Sequence, residues 1–173
     1  MAEVQEQIFI GWFNNYKRLF FKVIKAYAAI PEDQDDLFQE ILLQLWLSIP
    51  NFQGGAKETT WIYRVALNTA LVWKREKTRK SQRHNVLINF AEETLIQRNC
   101  GDLKQDDYVI NQLYDAIRQL PKTESSLMLM HLEGLSYEEM ADILGITISN
   151  VGVRLNRAKK NLAQLLKGSV DDL

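Results

Sequence analysis

Apolar residues recur at intervals of three and four along most of the chain, a spacing typical of amphipathic α-helices. Upstream of residue 134 this periodicity predicts five helices, at about 4–28, 33–48, 59–79, 108–120 and 123–133. Pro31 lies between the first two, Pro50 ends the second, and Pro121 divides the last two. The sequence therefore predicts an all-α fold.

The periodicity also predicts which faces of these helices are buried. The second helix is expected to pack through Leu37, Ile41 and Leu45, with Phe38, Leu42 and Ile49 as further candidates. For the third helix the predicted buried residues are Ile62, Val65, Ala66, Thr69 and Val72. For the fourth they are Ile110, Leu113, Tyr114, Ile117 and Leu120.

Residues 135–162 carry the pattern of a helix-turn-helix. Ser136 and Glu139 form an S-x-x-E capping box, which satisfies free N–H groups at the start of a helix. Ala141 is small enough for two helices to cross closely, and Gly145 tolerates a positive φ at the turn. Val151 then supplies a branched apolar contact where the helices cross.

Charge is divided between the two helices of this motif. Thr147 is a candidate cap for the second helix, whose basic residues are Arg154, Arg157, Lys159 and Lys160. The first helix carries Glu138, Glu139 and Asp142. This division favours entry of the second helix into a DNA major groove over an ordinary helical hairpin. Gly152 counts against it, since glycine costs about 1 kcal/mol in a helix and offers no base contact.

The sequence predicts two small helical domains joined by a linker. Residues 81–106 lose strong periodicity and collect polar residues and glycine, although a short helix is predicted at 90–97. Residues 1–80 then form the N-terminal domain. Residues 107–173 form a C-terminal domain that contains the helix-turn-helix.

Composition narrows the class of protein. With 46% hydrophobic and 25% charged residues, 173 residues can bury real cores. The lone Cys100 excludes an internal disulfide, and two histidines leave too few ligands for a structural zinc site. No signal peptide or bilayer-spanning apolar run is evident, so we expect a cytoplasmic protein without stable membrane insertion.

Charge is unevenly distributed although the net charge is only −1. Residues 57–84 contain eight basic and two acidic residues, a net +6. Residues 146–168 contain five basic residues and no acid, a net +5. Residues 1–56 contain four basic and seven acidic residues, a net −3. Two basic zones on an acidic background indicate two contacts with a polyanion and one further partner.

Two helices of the N-terminal domain offer candidate surfaces. On the side away from its buried face, the second helix carries leucines among polar residues: Asp36, Gln39, Glu40, Leu43 and Leu47. This pattern is as consistent with a docking surface for a partner as with leucines that are simply exposed to solvent. On the third helix, Trp61, Arg64, Asn68 and Arg75 share a face, and aromatic residues near basic ones favour binding of single-stranded nucleic acid. Spacing alone slightly favours the alternative that Trp61 and Tyr63 are core residues.

At this point the chain resembles the bacterial RNA polymerase sigma factors of the extracytoplasmic-function (ECF) group. In the first half the resemblance is carried by Tyr16–Leu19, Asp36–Glu40 with Trp46, and Trp61–Ala66 with Asn68. In the second half it is carried by Leu120–Pro121, Glu133–Glu139, and Arg154–Lys159. Paired motifs in this order are specific, whereas a lone helix-turn-helix would not be.

The resemblance implies a protein that binds core RNA polymerase and directs it to promoters, with no catalytic residues, cofactor or metal of its own. It implies polymerase binding by Asp36, Gln39, Glu40 and Leu43. It implies melting and recognition of the minus-ten element, including its single strand, by Phe52, Lys57, Trp61, Arg64, Asn68, Lys74 and Arg75. It implies recognition of the duplex minus-thirty-five element by Thr147, Ser149, Asn150, Arg154, Arg157 and Lys159. An anti-sigma factor is a further candidate partner.

The chain departs from the family pattern within the second helix of the motif. Gly152 and Val153 stand where the family often has lysine or arginine followed by serine. Base contacts are therefore expected from Asn150, Arg154 and Arg157, and no promoter sequence can be transferred.

Two alternatives remain at this stage. A helix-turn-helix regulator acting without polymerase would leave the docking face and the aromatic-basic helix unexplained, and it would need a dimer interface. A nuclease or recombinase would use Asp33, Asp35, Asp36 and Glu40 to hold magnesium, but leucines rather than further ligands accompany them.

Overall fold

The computed structural model describes residues 2–87 and 105–171. In these residues the chain forms seven α-helices and one 3₁₀ turn, with no strand, which confirms the all-α prediction. The elements are α1 (Ala2–Tyr27), α2 (Pro31–Ser48), the 3₁₀ turn (Ile49–Asn51), α3 (Glu58–Leu87), α4 (Gln105–Gln119), α5 (Lys122–Leu132), α6 (Tyr137–Leu144) and α7 (Ile148–Asp171).

The first three helices pack against one another around a shared core. Leu37, Ile41 and Leu45 recur every four residues on α2 and are fully buried, as the periodicity predicts. Phe20 of α1 and Ile62 of α3 are fully buried as well. The N-terminal half is therefore a three-helix unit built on apolar stripes.

The predicted buried face of α3 is partly wrong. Ile62, Ala66 and Thr69 are buried, but Val72 is 44% exposed. Tyr63, Leu67 and Ala70 are buried in addition, because α3 packs against both α1 and α2. The buried face of α3 is therefore wider than predicted and does not include Val72. Val72 lies about 180° around the helix from Tyr63 at 100° per residue.

Two helix boundaries also differ from the predictions. The third helix continues to Leu87, beyond the predicted end near Arg79, because its polar residues there include neither glycine nor proline to stop it. The predicted helix at 90–97 lies outside the described residues. The fourth helix begins at Gln105 rather than Tyr108, and Ile110, predicted to be buried, is 44% exposed.

In the C-terminal half α5 is the central helix, and residues 124–130 are all buried. It packs against α7 on one side and against α1 of the N-terminal half on the other. The buried Ser126 hydroxyl lies 2.7 Å from the hydroxyl of Tyr27, and Lys22 of α1 pairs with Glu133. The two halves thus share one continuous core in this arrangement.

Within residues 2–87 and 105–171, no helix combines the length and the apolar character that crossing a bilayer demands.

Candidate DNA and polymerase interfaces

The helix-turn-helix is held by local hydrogen bonds, as predicted. At the start of α6 the Glu139 amide donates to the Ser136 hydroxyl at 3.2 Å, and the Ser136 amide donates to the Glu139 carboxylate at 3.0 Å. Gly145 ends α6 with a left-handed φ of +66°. The Thr147 hydroxyl accepts from the Asn150 amide at 3.3 Å and so caps α7. These contacts confirm both predicted caps and the predicted turn.

The capping box also affects an ionisation equilibrium. The hydrogen bond from the Ser136 amide lowers the pKa of the Glu139 carboxyl, and Lys57 lowers it further. Glu139 is therefore a carboxylate that caps α6 and also contacts Lys57 in the other half of the chain.

One face of α7 is buried and the opposite face is polar and exposed. Val151, Leu155 and Ala158 are fully buried. All six residues predicted to contact the duplex element are exposed: Thr147, Ser149, Asn150, Arg154, Arg157 and Lys159. Among the described residues, Arg154 and Arg157 make no side-chain hydrogen bond or ion pair. This face is free to contact a partner.

The polar face of α2 borders a groove of about 700 Å³ between α2 and α3. The four residues predicted to bind polymerase all line this groove: Asp36, Gln39, Glu40 and Leu43. Leu43 is 51% exposed. The opposite wall includes Asn68, together with Trp73 and Lys80. Sequence reasoning missed Trp73 and Lys80, because only the packing of α2 against α3 brings them beside the α2 residues.

The aromatic residues predicted to contact the minus-ten element pack against each other. The ring centroids of Phe52 and Trp61 are 5.8 Å apart, and Phe52 also meets the ring of the buried Trp12 at 5.4 Å. Trp61 is half-buried, and its indole nitrogen is buried with no hydrogen-bond partner among the described residues. Tyr63 is only 1% exposed, so the core alternative is correct for Tyr63, while Trp61 lies at the edge of the core.

Two of the predicted DNA-binding cations contact α6 in this arrangement. The Lys57 amine lies 2.9 Å from the Glu139 carboxylate. The Arg64 guanidinium lies 3.2 Å from the Asp142 carboxylate and donates to the Asp142 carbonyl at 2.7 Å. Acidic residues of α6, the first helix of the helix-turn-helix, therefore form ion pairs with basic residues of the N-terminal half.

Lys74 is separated from the other candidate residues on α3. Its amine lies 5.6 Å from the centroid of the Tyr27 ring and donates to the Arg118 carbonyl at 3.5 Å. Burial lowers the pKa of this amine, and the nearby cations Arg118 and Lys122 lower it further. The structure thus does not bring Lys74 together with Trp61 and Arg64.

Three of the four carboxylates of the nuclease alternative have other surroundings than a shared metal site. Asp33 pairs with Lys77 of α3, while Asp36 and Glu40 line the groove. Within the two described segments no group of three or more histidine, cysteine or acidic side chains is placed to hold a metal ion.

Comparisons with known proteins match both halves of the chain. The family described as sigma-70 region 2 matches residues 12–80, and the family described as sigma-70 region 4 matches residues 110–162. The chain is 30% identical to the ECF RNA polymerase sigma-E factor of Haemophilus influenzae over 135 residues, 74% of this chain and 71% of the relative. It is 25% identical to the RNA polymerase sigma-H factor of Pseudomonas aeruginosa, covering 88% and 82%.

Two solved structures share the fold. The sigma factor RpoE from Bartonella quintana, in complex with the anti-sigma factor NepR, aligns with a TM-score of 0.70 and 22% identity, covering 93% of this chain and 98% of that chain. CnrH, in complex with the cytosolic domain of CnrY, aligns with a TM-score of 0.66 and 16% identity, covering 94% and 90%.

Proposed function

The chain belongs to the sigma-70 family, within the extracytoplasmic-function group, and on this premise we propose how its surfaces bind core RNA polymerase and a promoter. The observation that carries the proposal is the presence of regions 2 and 4, in that order, in one short chain. A regulator that acts without polymerase requires only the second of them. The proposal assigns no catalytic step to this chain and places its action in the cytoplasm.

Each surface receives one role in this proposal. The groove-lining residues of α2 dock on polymerase. The Phe52–Trp61 edge and the exposed Asn68 of α3 contact the melted minus-ten strand, where aromatic stacking contributes about 1–3 kcal/mol per base. The outward face of α7 contacts the duplex minus-thirty-five element, through Arg154 and Arg157 above all. As in the Bartonella quintana complex, an anti-sigma factor is a further proposed partner.

The test of this function uses the full chain and bacterial core RNA polymerase. We expect the two to co-elute in size-exclusion chromatography and the mixture to produce run-off transcripts from genomic DNA fragments that core polymerase alone does not transcribe. DNA binding in the absence of polymerase, with no transcripts in its presence, would favour the regulator. Magnesium-dependent cleavage of the DNA would favour the nuclease.

Replacing Asp36 and Glu40 together with alanine is expected to weaken binding to core polymerase roughly tenfold, and less at high salt, because exposed charges at an interface mainly steer association. Neither side chain is buried, so the fold should persist. Biolayer interferometry of the variant against immobilised polymerase measures the affinity. The matched control replaces Glu3 and Glu6, two exposed acids of α1, and removes the same charge. Equal affinities for the two variants would contradict the assigned docking face.

We further propose that Lys57 and Arg64 contact the minus-ten DNA and that α6 leaves α3 when DNA binds, because Glu139 and Asp142 would otherwise hold two carboxylates beside the DNA phosphates. A zero-length carbodiimide cross-linker, which joins only touching amines and carboxylates, is expected to link Lys57 to Glu139 in the free chain. In the promoter complex we expect this cross-link to disappear from the peptide mass spectrum.

The control for this experiment is the Lys77–Asp33 pair, which lies within the N-terminal half. It should cross-link equally in the free chain and in the promoter complex. A Lys57–Glu139 cross-link that persists at the same yield in the promoter complex would show that the two halves stay together.

A further inference from the structure

The outward face of α7 has an apolar residue at its centre. Val153 is 62% exposed, although the buried residues of this helix are Val151, Leu155 and Ala158. At 100° per residue Val153 lies about 160° from Leu155 around the helix axis, and therefore nearly opposite the buried face. Packing within the described residues does not explain why a valine stands here.

The neighbours of Val153 on this face are polar or basic. Asn150 precedes it by three residues and Arg157 follows it by four, so both lie beside it on the same side of the helix. Ile148 is also exposed, but it lies about 140° away from Val153 around the axis. Val153 is thus an isolated apolar side chain among groups suited to hydrogen bonds with DNA.

Gly152 does not compete for this surface. A Cβ atom at this position would lie 3.6 Å from Cε2 of Tyr137, so residue 152 faces α6 rather than the centre of the outward face. Gly152, which in the sequence counted against base recognition, therefore lies beside Tyr137 of α6.

Resting on the proposed function, we propose that Val153 recognises the 5-methyl group of a thymine in the upstream duplex element. Among the base edges in the major groove, the thymine methyl is the one apolar group, and small apolar side chains recognise it by contact. Asn150, Arg154 and Arg157 supply hydrogen bonds to the polar edges. Val153 then adds recognition of the thymine methyl group, which hydrogen bonds do not read.

The experiment begins with holoenzyme assembled from the full chain and core polymerase, which selects promoter duplexes from a random-sequence pool. Each thymine of the upstream element is then replaced singly by deoxyuridine, which removes only the methyl group. At one position we expect about a fourfold loss of affinity, the effect of exposing one buried methyl group. With Val153→Ser, thymine and uracil at that position should bind equally.

Two controls separate the thymine contact from other effects. Ile148→Ser makes a similar change at another exposed apolar residue of α7 and should retain the fourfold response to uracil. A thermal melt should show little change for Val153→Ser, because the side chain is exposed.

The outcomes are distinguishable. A holoenzyme that selects a sequence but responds to uracil equally in the wild type and Val153→Ser overturns the thymine contact alone. The thymine contact is also overturned if replacing each thymine of the upstream element by deoxyuridine leaves the affinity unchanged. Failure to form holoenzyme or to select any sequence overturns the proposed function, and the contact with it.

Discussion

Replacing Arg154 and Arg157 together with alanine is expected to lower the affinity of the holoenzyme for its promoter duplex by about 100-fold. Each side chain is exposed on α7 and pairs with no other described residue, so both are available to DNA. Loss of one direct base contact costs about 1–3 kcal/mol. Two losses of about 1.4 kcal/mol each, near the lower end of this range, amount to about 100-fold.

Fluorescence anisotropy of a labelled promoter duplex, repeated at several salt concentrations, measures this effect. If the arginines contact phosphates, the slope of log affinity against log salt should fall by about one for each residue removed. If they contact bases, the affinity falls while the slope stays nearly constant. The control replaces Lys17 and Arg18, two exposed cations of α1, and removes the same charge. A similar loss in both double variants would mean that general charge, not the α7 face, determines binding.

The second large effect is expected from Leu155→Ala. This leucine is fully buried between exposed residues of α7 and contributes to the core beside Val151 and Met140, which are fully buried too. Truncating a buried leucine removes its transfer free energy and leaves a cavity, at a cost of about 2–5 kcal/mol. Because the C-terminal unit is small, we expect this loss to unfold the helix-turn-helix and abolish duplex binding.

Urea unfolding followed by far-UV circular dichroism measures the loss of stability. Leu132→Ala is the matched control, since Leu132 of α5 is 51% exposed, and it should change the free energy of unfolding by no more than about 0.5 kcal/mol. The arginine double variant should retain the wild-type melt. Equal stabilities for Leu155→Ala and Leu132→Ala would contradict the assignment of Leu155 to the core.

Features that depend on neighbouring residues were predictable from the sequence. The capping box joins residues three positions apart, the Thr147 cap does the same, and the stripe Leu37, Ile41, Leu45 follows the turn of a helix. The two family matches, region 2 and then region 4, lie in the order in which the sequence motifs predicted them. The domain boundaries at residues 80 and 107 stay predictions, as do the roles of the candidate interface residues.

Features that depend on distant residues were not predictable. Val72 follows the period of α3, but its exposure depends on where α1 and α2 pack. Lys74 has the sequence context of a DNA-binding cation, yet Tyr27 and Arg118 surround it.

The amino-acid sequence by itself thus determined the helices, their caps, the helix-turn-helix and the family, because each is set by residues a few positions apart or by their order along the chain. Only the tertiary structure decided that Glu139 contacts Lys57 and that Asp142 contacts Arg64, pairs separated by 82 and 78 residues. No local spacing relates such residues. The packing of α6 on α3 joins them, and it therefore decides which basic groups of the N-terminal half are paired with carboxylates in this arrangement.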